Sequence, residues 1–125
     1  MQKAKDVMQK VVVTISPDAT LEEACNVLIS KQISGMPVVD AKGKLVGLLS
    51  EKDILNFVFS GNLKNTKVSE AMSKDLTIFP PDADADKIAL AIGEKKIRRV
   101  PIVDSNGKVV GIVSRRDIIR IAIEG

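Results

Sequence analysis

The sequence predicts a mixed α/β fold of the α+β kind, built from two β-α-β-β-α repeats. A pseudo-twofold relates the repeats, with their small sheets packed together and the helices outside. Three observations predict it. First, sliding the chain by 64 residues lays it on itself without a gap. Met8 meets Met72, Pro17 meets Pro81, Asp18 meets Asp82, Ile33 meets Ile97 and Pro37 meets Pro101. Asp40, Gly43, Gly47, Ser50 and Asp53 likewise meet Asp104, Gly107, Gly111, Ser114 and Asp117. Second, each copy places a helical apolar pattern before two short aliphatic runs. Third, Asp40-Ala41-Lys42-Gly43 and Asp104-Ser105-Asn106-Gly107 join those runs by turns so short that the strands must be antiparallel. The repeats are assigned to residues 1–64, linker included, and 65–125.

The elements follow in order. Val11–Thr14 is a short strand candidate, ended by Ser16-Pro17-Asp18. Thr20 caps a helix, and Glu23 three residues later completes a capping box. Leu21, Ala24, Cys25, Leu28 and Ile29 fall on one helical face. Met36–Val39 and Leu45–Leu49 are strands, and Gly43 supplies the positive φ of the turn between them. Ser50 starts a second helix. The polar stretch Ser60–Ser69 reads as a linker. The second copy gives a strand near Leu76–Phe79, a helix from Ala85 to about Lys96, strands Val100–Val103 and Val109–Val113, and a helix from Arg115.

Composition narrows the function. The chain has 125 residues, 45% apolar and nearly all aliphatic, enough to bury a core without staples. Three Phe and no Trp or Tyr leave no stacking platform for single-stranded nucleic acid. A net charge of +3 permits anionic partners without demanding nucleic acid. The lone Cys25 excludes an internal disulfide, and no apolar run approaches a membrane span. The N-terminus has no signal-peptide core, so a cytoplasmic protein with no membrane role is expected.

The repeated phrases are Met36-Pro37-Val38-Val39-Asp40 with Gly47-Leu48-Leu49-Ser50-Glu51-Lys52-Asp53, and Val100-Pro101-Ile102-Val103-Asp104 with Gly111-Ile112-Val113-Ser114-Arg115-Arg116-Asp117. In sequence, order and spacing they resemble tandem cystathionine-β-synthase (CBS) domains, the pairs called Bateman modules. The resemblance runs from about Val7 to Ile123. It implies a regulatory module, not an enzyme, that binds AMP, ADP, ATP or S-adenosylmethionine in clefts between the repeats and acts on a separate, unknown effector protein. No cofactor is expected.

Physical chemistry gives the Ser-x-x-Asp phrase two compatible roles. Ser50 and Ser114 suit helix N-caps, with Asp53 and Asp117 near the positive helix end, worth about 1 kcal/mol without any ligand. A carboxylate also offers two acceptor oxygens to the two hydroxyls of a ribose, and a helix start can hold phosphate. The resemblance points to Asp53 and Asp117 as ribose acceptors. It assigns the adenine edge to backbone around Ser34, Gly35, Met36, Pro37 and Val38, and around Arg98, Arg99, Val100, Pro101 and Ile102. Val13, Thr14, Thr77 and Ile78 would line the base pocket.

The copies differ in charge. All five Arg lie in the second: Arg98, Arg99, Arg115, Arg116 and Arg120. Ser34-Gly35 and Glu51-Lys52 stand at the first two pairs' places in the first copy. Arginine grips phosphate in a bidentate fork, whereas Glu51 would repel it. The Asp117 cleft is therefore expected to take the phosphorylated nucleotide, and Arg120 is expected to be plain surface.

Other chemistries fail on residue type. With no His there is no Ser-His-Asp or Cys-His site. Asp82-x-Asp84-x-Asp86 starts like a calcium loop, but Lys87 and Gly93 stand where Gly and Glu belong. Cys25 is expected to be a small buried hydrophobe. Ile54, Leu55, Phe57, Val58 and Phe59, and Ile118, Ile119, Ile121, Ala122 and Ile123, make two helices apolar nearly all round. A homodimer through residues 51–59 and 115–123 is expected; the alternative is that the two blocks pack together within one chain. Rival functions are a dimerisation module without ligand, and a nucleic-acid binder using the arginines.

Overall fold

A computed structural model describes residues 2–124; Met1 and Gly125, the outer ends of the two expected repeats, lie outside the described residues. The chain forms two compact units. One is contiguous, Val13–Leu76; the other is composite, Met1–Val12 with Thr77–Gly125.

In the contiguous unit, helix α2 (Leu21–Lys31) follows a Thr20 cap whose hydroxyl accepts from Glu23 N at 3.1 Å, while Glu23 Oε1 accepts from Thr20 N. The capping box thus satisfies two otherwise orphan donors. Leu21, Ala24 and Leu28 turn inward onto Met36, Val38 and Leu49. Strands β1 (Gly35–Val39) and β2 (Leu45–Ser50) pair antiparallel, with a bulge between Val38 and Val39. Asp40 closes their turn: Oδ1 accepts from the amides of Lys42 and Lys44. Those bonds hold its carboxyl below the usual carboxylate range. Gly43 takes φ +83°, a value that a side chain would strain. Helix α3 (Glu51–Val58) follows, then the four-residue helix α4 (Val68–Ala71).

The composite unit repeats this plan. Its four-residue helix α1 (Ala4–Val7) comes from the chain start. Helix α5 (Ala85–Lys95) buries Ile88 and Ile92 against the hairpin of β3 (Arg99–Val103) and β4 (Val109–Ser114), and α6 (Arg115–Glu124) ends the chain. The β3–β4 register and its bulge match those of β1–β2.

Two expected strands are replaced by single bridges. Ile15, not Val11–Thr14, joins β1: Ile15 N donates to Pro37 O and Val39 N donates to Ile15 O. Phe79 does the same with Pro101 and Val103. The cause is proline. Extending the parallel ladder backward would need an N–H from Pro37 or Pro101; extending it forward would need one from Pro17 or Pro81. None has one.

The stretch Ser60–Ser69 is also more than a linker. Thr66 and Val68 are buried, Leu21 N donates to Thr66 O, and Val68 N donates to Ala19 O. Helices α1 and α4 are related by the same 64-residue shift, and both are built alike. Lys3 N donates to Asp6, Lys67 N donates to Glu70, and Ala4 and Val68 are each fully buried. Each short helix is followed by an antiparallel bridge to the hairpin's outer strand, Ser73 to Leu48 and Gln9 to Ile112. The bridge explains the glycine that opens each repeated phrase. A Cβ on Gly47 would strike Met72 Sδ, and one on Gly111 would strike Met8 Sδ.

Candidate functional site

Each candidate site is a strand running into a helix start. In the contiguous unit, Ser50 N and Ser50 Oγ donate to Asp53 Oδ2 at 2.9 and 3.0 Å, and Asp53 N donates back to Ser50 Oγ at 3.4 Å. Glu51 N donates to Ser34 O at 3.0 Å, tying the helix start to the entrance of β1. Asp53 is half-buried, and among the described residues its Oδ1 accepts no hydrogen bond.

The composite unit holds the same frame differently. Ser114 N donates to Asp117 Oδ2 at 2.9 Å, Asp117 N donates to Ser114 Oγ at 3.2 Å, and Arg115 N donates to Arg98 O at 2.9 Å. Here, however, Asp117 is only 4% exposed. Gln9 Nε2 donates to both its oxygens, at 3.2 Å to Oδ1 and 3.1 Å to Oδ2. Arg120 Nη1 donates to Oδ1 at 3.4 Å. Arg120 is thus an ion-pair partner rather than plain surface.

The capping role of both Ser-Asp pairs is therefore present, and it uses much of each helix start. The first and third amides of each helix already have acceptors, so of the first three only Lys52 N and Arg116 N remain for an incoming acceptor. A phosphate at either start would gain less from the backbone than an uncapped helix offers.

The other expected residues divide by burial. The side chains of Met36, Pro37, Val38, Val100, Pro101 and Ile102 are fully buried in the two cores, so only their backbone can meet a ligand. Gly35 is buried and Ser34 half-buried at the strand entrance. Arg98, Arg115 and Arg116 are exposed, and Arg99 is half-buried at the start of β3. Val13 packs against the contiguous core, while Thr14 is exposed. Thr77 Oγ1 accepts from Lys95 Nζ at 3.1 Å, and the side chain of Ile78 is exposed.

Gln9 was invisible to motif reasoning because it lies outside both phrases. The 64-residue shift pairs it with Ser73, a different residue type, so the repeat carries no signal for it either. The acids before α5 pair with the start of the chain. Asp84 makes no cap bond and instead accepts from Lys3 Nζ at 2.6 Å, while Asp82 pairs with Lys5 at 3.0 Å. Cys25 packs against the contiguous core, and burial pushes its thiol up, away from the reactive thiolate.

Apolar residues remain outside both cores. Leu55, Val58 and Phe59 on and after α3 are exposed, as are Ile119 and Ile123 on α6. A groove of about 270 Å³ runs beside α6, lined by Ala85, Ala89, Ile118, Ile121 and Ala122 with Gln2 and Asp86. Among the described residues no helix is long and apolar enough to cross a membrane.

A family model described as "CBS domain" matches twice, over residues 4–60 and 68–124. The inosine-5′-monophosphate dehydrogenase of Methanocaldococcus jannaschii is 36% identical over 120 residues, 96% of this chain. The chain spans only 23% of that relative's length. The CBS domain-containing protein YhcV of Bacillus subtilis is 36% identical over 119 residues, covering 94% of this chain and 84% of YhcV. Among solved structures, the CBS domain pair of protein MJ0100, in complex with 5′-methylthioadenosine and S-adenosyl-L-methionine, aligns with TM-score 0.88 and 30% identity over 98% of this chain and 97% of its own. CBSX2 in complex with AMP aligns with TM-score 0.89 and 27% identity over 98% and 96%.

Proposed function

Because the chain belongs to the CBS-domain family, with two such domains in tandem, we propose that it is a regulatory module that binds an adenosine-containing ligand and acts on a separate protein partner. The observation that carries this reading is the Ser-x-x-Asp helix start, present in both units with its carboxylate fixed by the serine's backbone amide, joined by the Ser50 hydroxyl on Asp53 and by Gln9 and Arg120 on Asp117. A carboxylate so held is oriented before any ribose arrives, so little conformational freedom is lost on binding. Support comes from the CBS pairs of nearly equal length that bind AMP, or 5′-methylthioadenosine and S-adenosylmethionine.

Asp53 and Asp117 are the ribose acceptors in this reading. Arg98, Arg99, Arg115 and Arg116 give the Asp117 side the stronger attraction for phosphate, because Glu51 opposes it on the other side. The module itself pairs as a homodimer through residues 51–59 and 115–123, whose Leu55, Phe59, Ile119 and Ile123 are exposed in the single chain.

A thermal-shift panel tests the ligand. AMP, ADP, ATP, S-adenosylmethionine and 5′-methylthioadenosine are each added at millimolar concentration. A ligand at 100 times its Kd that binds only the folded state adds about 2.7 kcal/mol. At least one is expected to raise Tm, and that rise is expected to shrink in Asp53→Ala and in Asp117→Ala. No shift with any of them defeats the reading in favour of a dimerisation module without ligand.

A further inference from the structure

The two ribose-acceptor candidates share a backbone frame but differ in the side chains laid over the carboxylate: Gln9 bonds both oxygens of Asp117 and Arg120 bonds one, while Asp53, among the described residues, has only Ser50. We propose that Gln9 is the gate of the Asp117 site: its side-chain amide holds the two oxygens that a ribose diol would use, so a diol binds there only by displacing it. The inference rests on the ligand-binding reading above and adds a specificity-determining residue to it.

Three observations carry it. Gln9 Nε2 is within 3.2 Å of both oxygens of Asp117, so one amide nitrogen straddles the two acceptors that the two hydroxyls of a diol would take. Asp117 is buried while Gln9 is exposed, so a Gln9 side chain displaced from the carboxylate can be released to solvent without opening the core. The contact is also one-sided within the repeat. The residue related to Gln9 by the 64-residue shift is Ser73, which makes no side-chain bond to Asp53, whose Oδ1 stays without a partner among the described residues. The backbone around the two positions is otherwise equivalent, each forming one antiparallel bridge to the outer strand.

The consequence is an unequal pair of sites. Binding at Asp53 forms new hydrogen bonds to an open oxygen. Binding at Asp117 exchanges one charge-assisted donor for others, and the net gain of an exchange is smaller than that of a new bond. The arginines and the gate therefore act in opposite directions: the guanidinium groups attract the phosphate and Gln9 taxes the ribose. Ligands without a diol escape the tax.

The test isolates each site. In an Asp53→Ala background, AMP binding is measured by calorimetry before and after Gln9→Ser, which copies Ser73. Affinity is expected to rise about tenfold, with 2′,3′-dideoxy-AMP unchanged. In an Asp117→Ala background, Ser73→Gln is expected to weaken AMP by a similar factor. An unchanged or weaker AMP affinity in Gln9→Ser overturns the gate, as does an equal rise for the dideoxy analogue. AMP binding that survives in the wild type but vanishes in Asp53→Ala, with or without Gln9→Ser, overturns Asp117 as a site. If the wild type itself gives no heat with AMP while another adenosine ligand shifts its Tm, the AMP gate falls and the broader reading stands.

Discussion

Met8 Sδ lies where a Cβ on Gly111 would have to sit, and Met72 Sδ stands in the same relation to Gly47. A thioether from one end of a repeat thus fills the space left by a missing side chain in the middle of a strand. The glycine is fixed by packing and not by backbone conformation, since neither Gly47 nor Gly111 has positive φ.

Gly111→Ala is therefore expected to destabilise the protein by about 1–3 kcal/mol, the usual cost of overpacking. Adding Met8→Ala should recover part of that loss, because the second change removes the atom that is struck. Urea denaturation of the two singles and the double measures the coupling. Simple additivity would show that Met8 and Gly111 do not meet.

Val68 tests whether the 60–69 stretch belongs to the core where it runs into α4. It is fully buried beside Leu21 and Leu49. Val68→Ala should cost about 1–3 kcal/mol, from two methyl groups plus the cavity left behind. The exposed Val11→Ala is the control and should stay within about 0.5 kcal/mol. Equal effects would return residues 60–69 to the status of a passive linker.

The Lys3–Asp84 pair gives a pH signature. The hydrogen bond from Lys3 holds the Asp84 carboxyl below its ordinary value of 3.8. The same bond raises Lys3 above 10.5. Stability from Asp84 is present above 3.8 and is lost as pH falls through its lower folded value. Stability from Lys3 is present below 10.5 and is lost as pH rises through its higher folded value. The wild type is thus expected to exceed Lys3→Met by a constant margin between about pH 5 and 9, narrowing at both extremes. A margin that varies inside that window would mean other groups set it.

Phe59 is fully exposed and Ile123 is 80% exposed. Phe59→Glu and Ile123→Glu are expected to convert the proposed dimer into monomer at micromolar concentration, with Tm referred to the monomer unchanged. Sedimentation velocity reads the outcome. A wild type that sediments as a monomer at all concentrations defeats the dimer.

The arginine asymmetry predicts a ligand preference. If phosphate is gripped on the Asp117 side, Arg99→Ala and Arg116→Ala should weaken AMP more than adenosine, and the difference should shrink at high salt. Equal losses for both ligands would assign the arginines to the fold.

The sequence alone determined the duplication, the helix capped by Thr20 and Glu23, and the antiparallel hairpins. These are local matters: helical periodicity, a turn of fixed length and a cap three residues wide are settled by neighbours in the chain. It also placed Ser50–Asp53 and Ser114–Asp117 at helix starts, because that spacing closes a capping box wherever it occurs. What it could not decide was which distant segment lies against each sheet. The Val11–Thr14 strand shrank to Ile15 because the partner strand offers a proline where an N–H is needed. The polar run before Val68 joined a core because the first amides of α2 find their acceptors there, Leu21 N donating to Thr66 O and Glu22 N to Leu63 O. Only the tertiary structure put Gln9 over Asp117. The two are 108 residues apart, and an amide finds a buried carboxylate at that separation only once the sheet between them has formed.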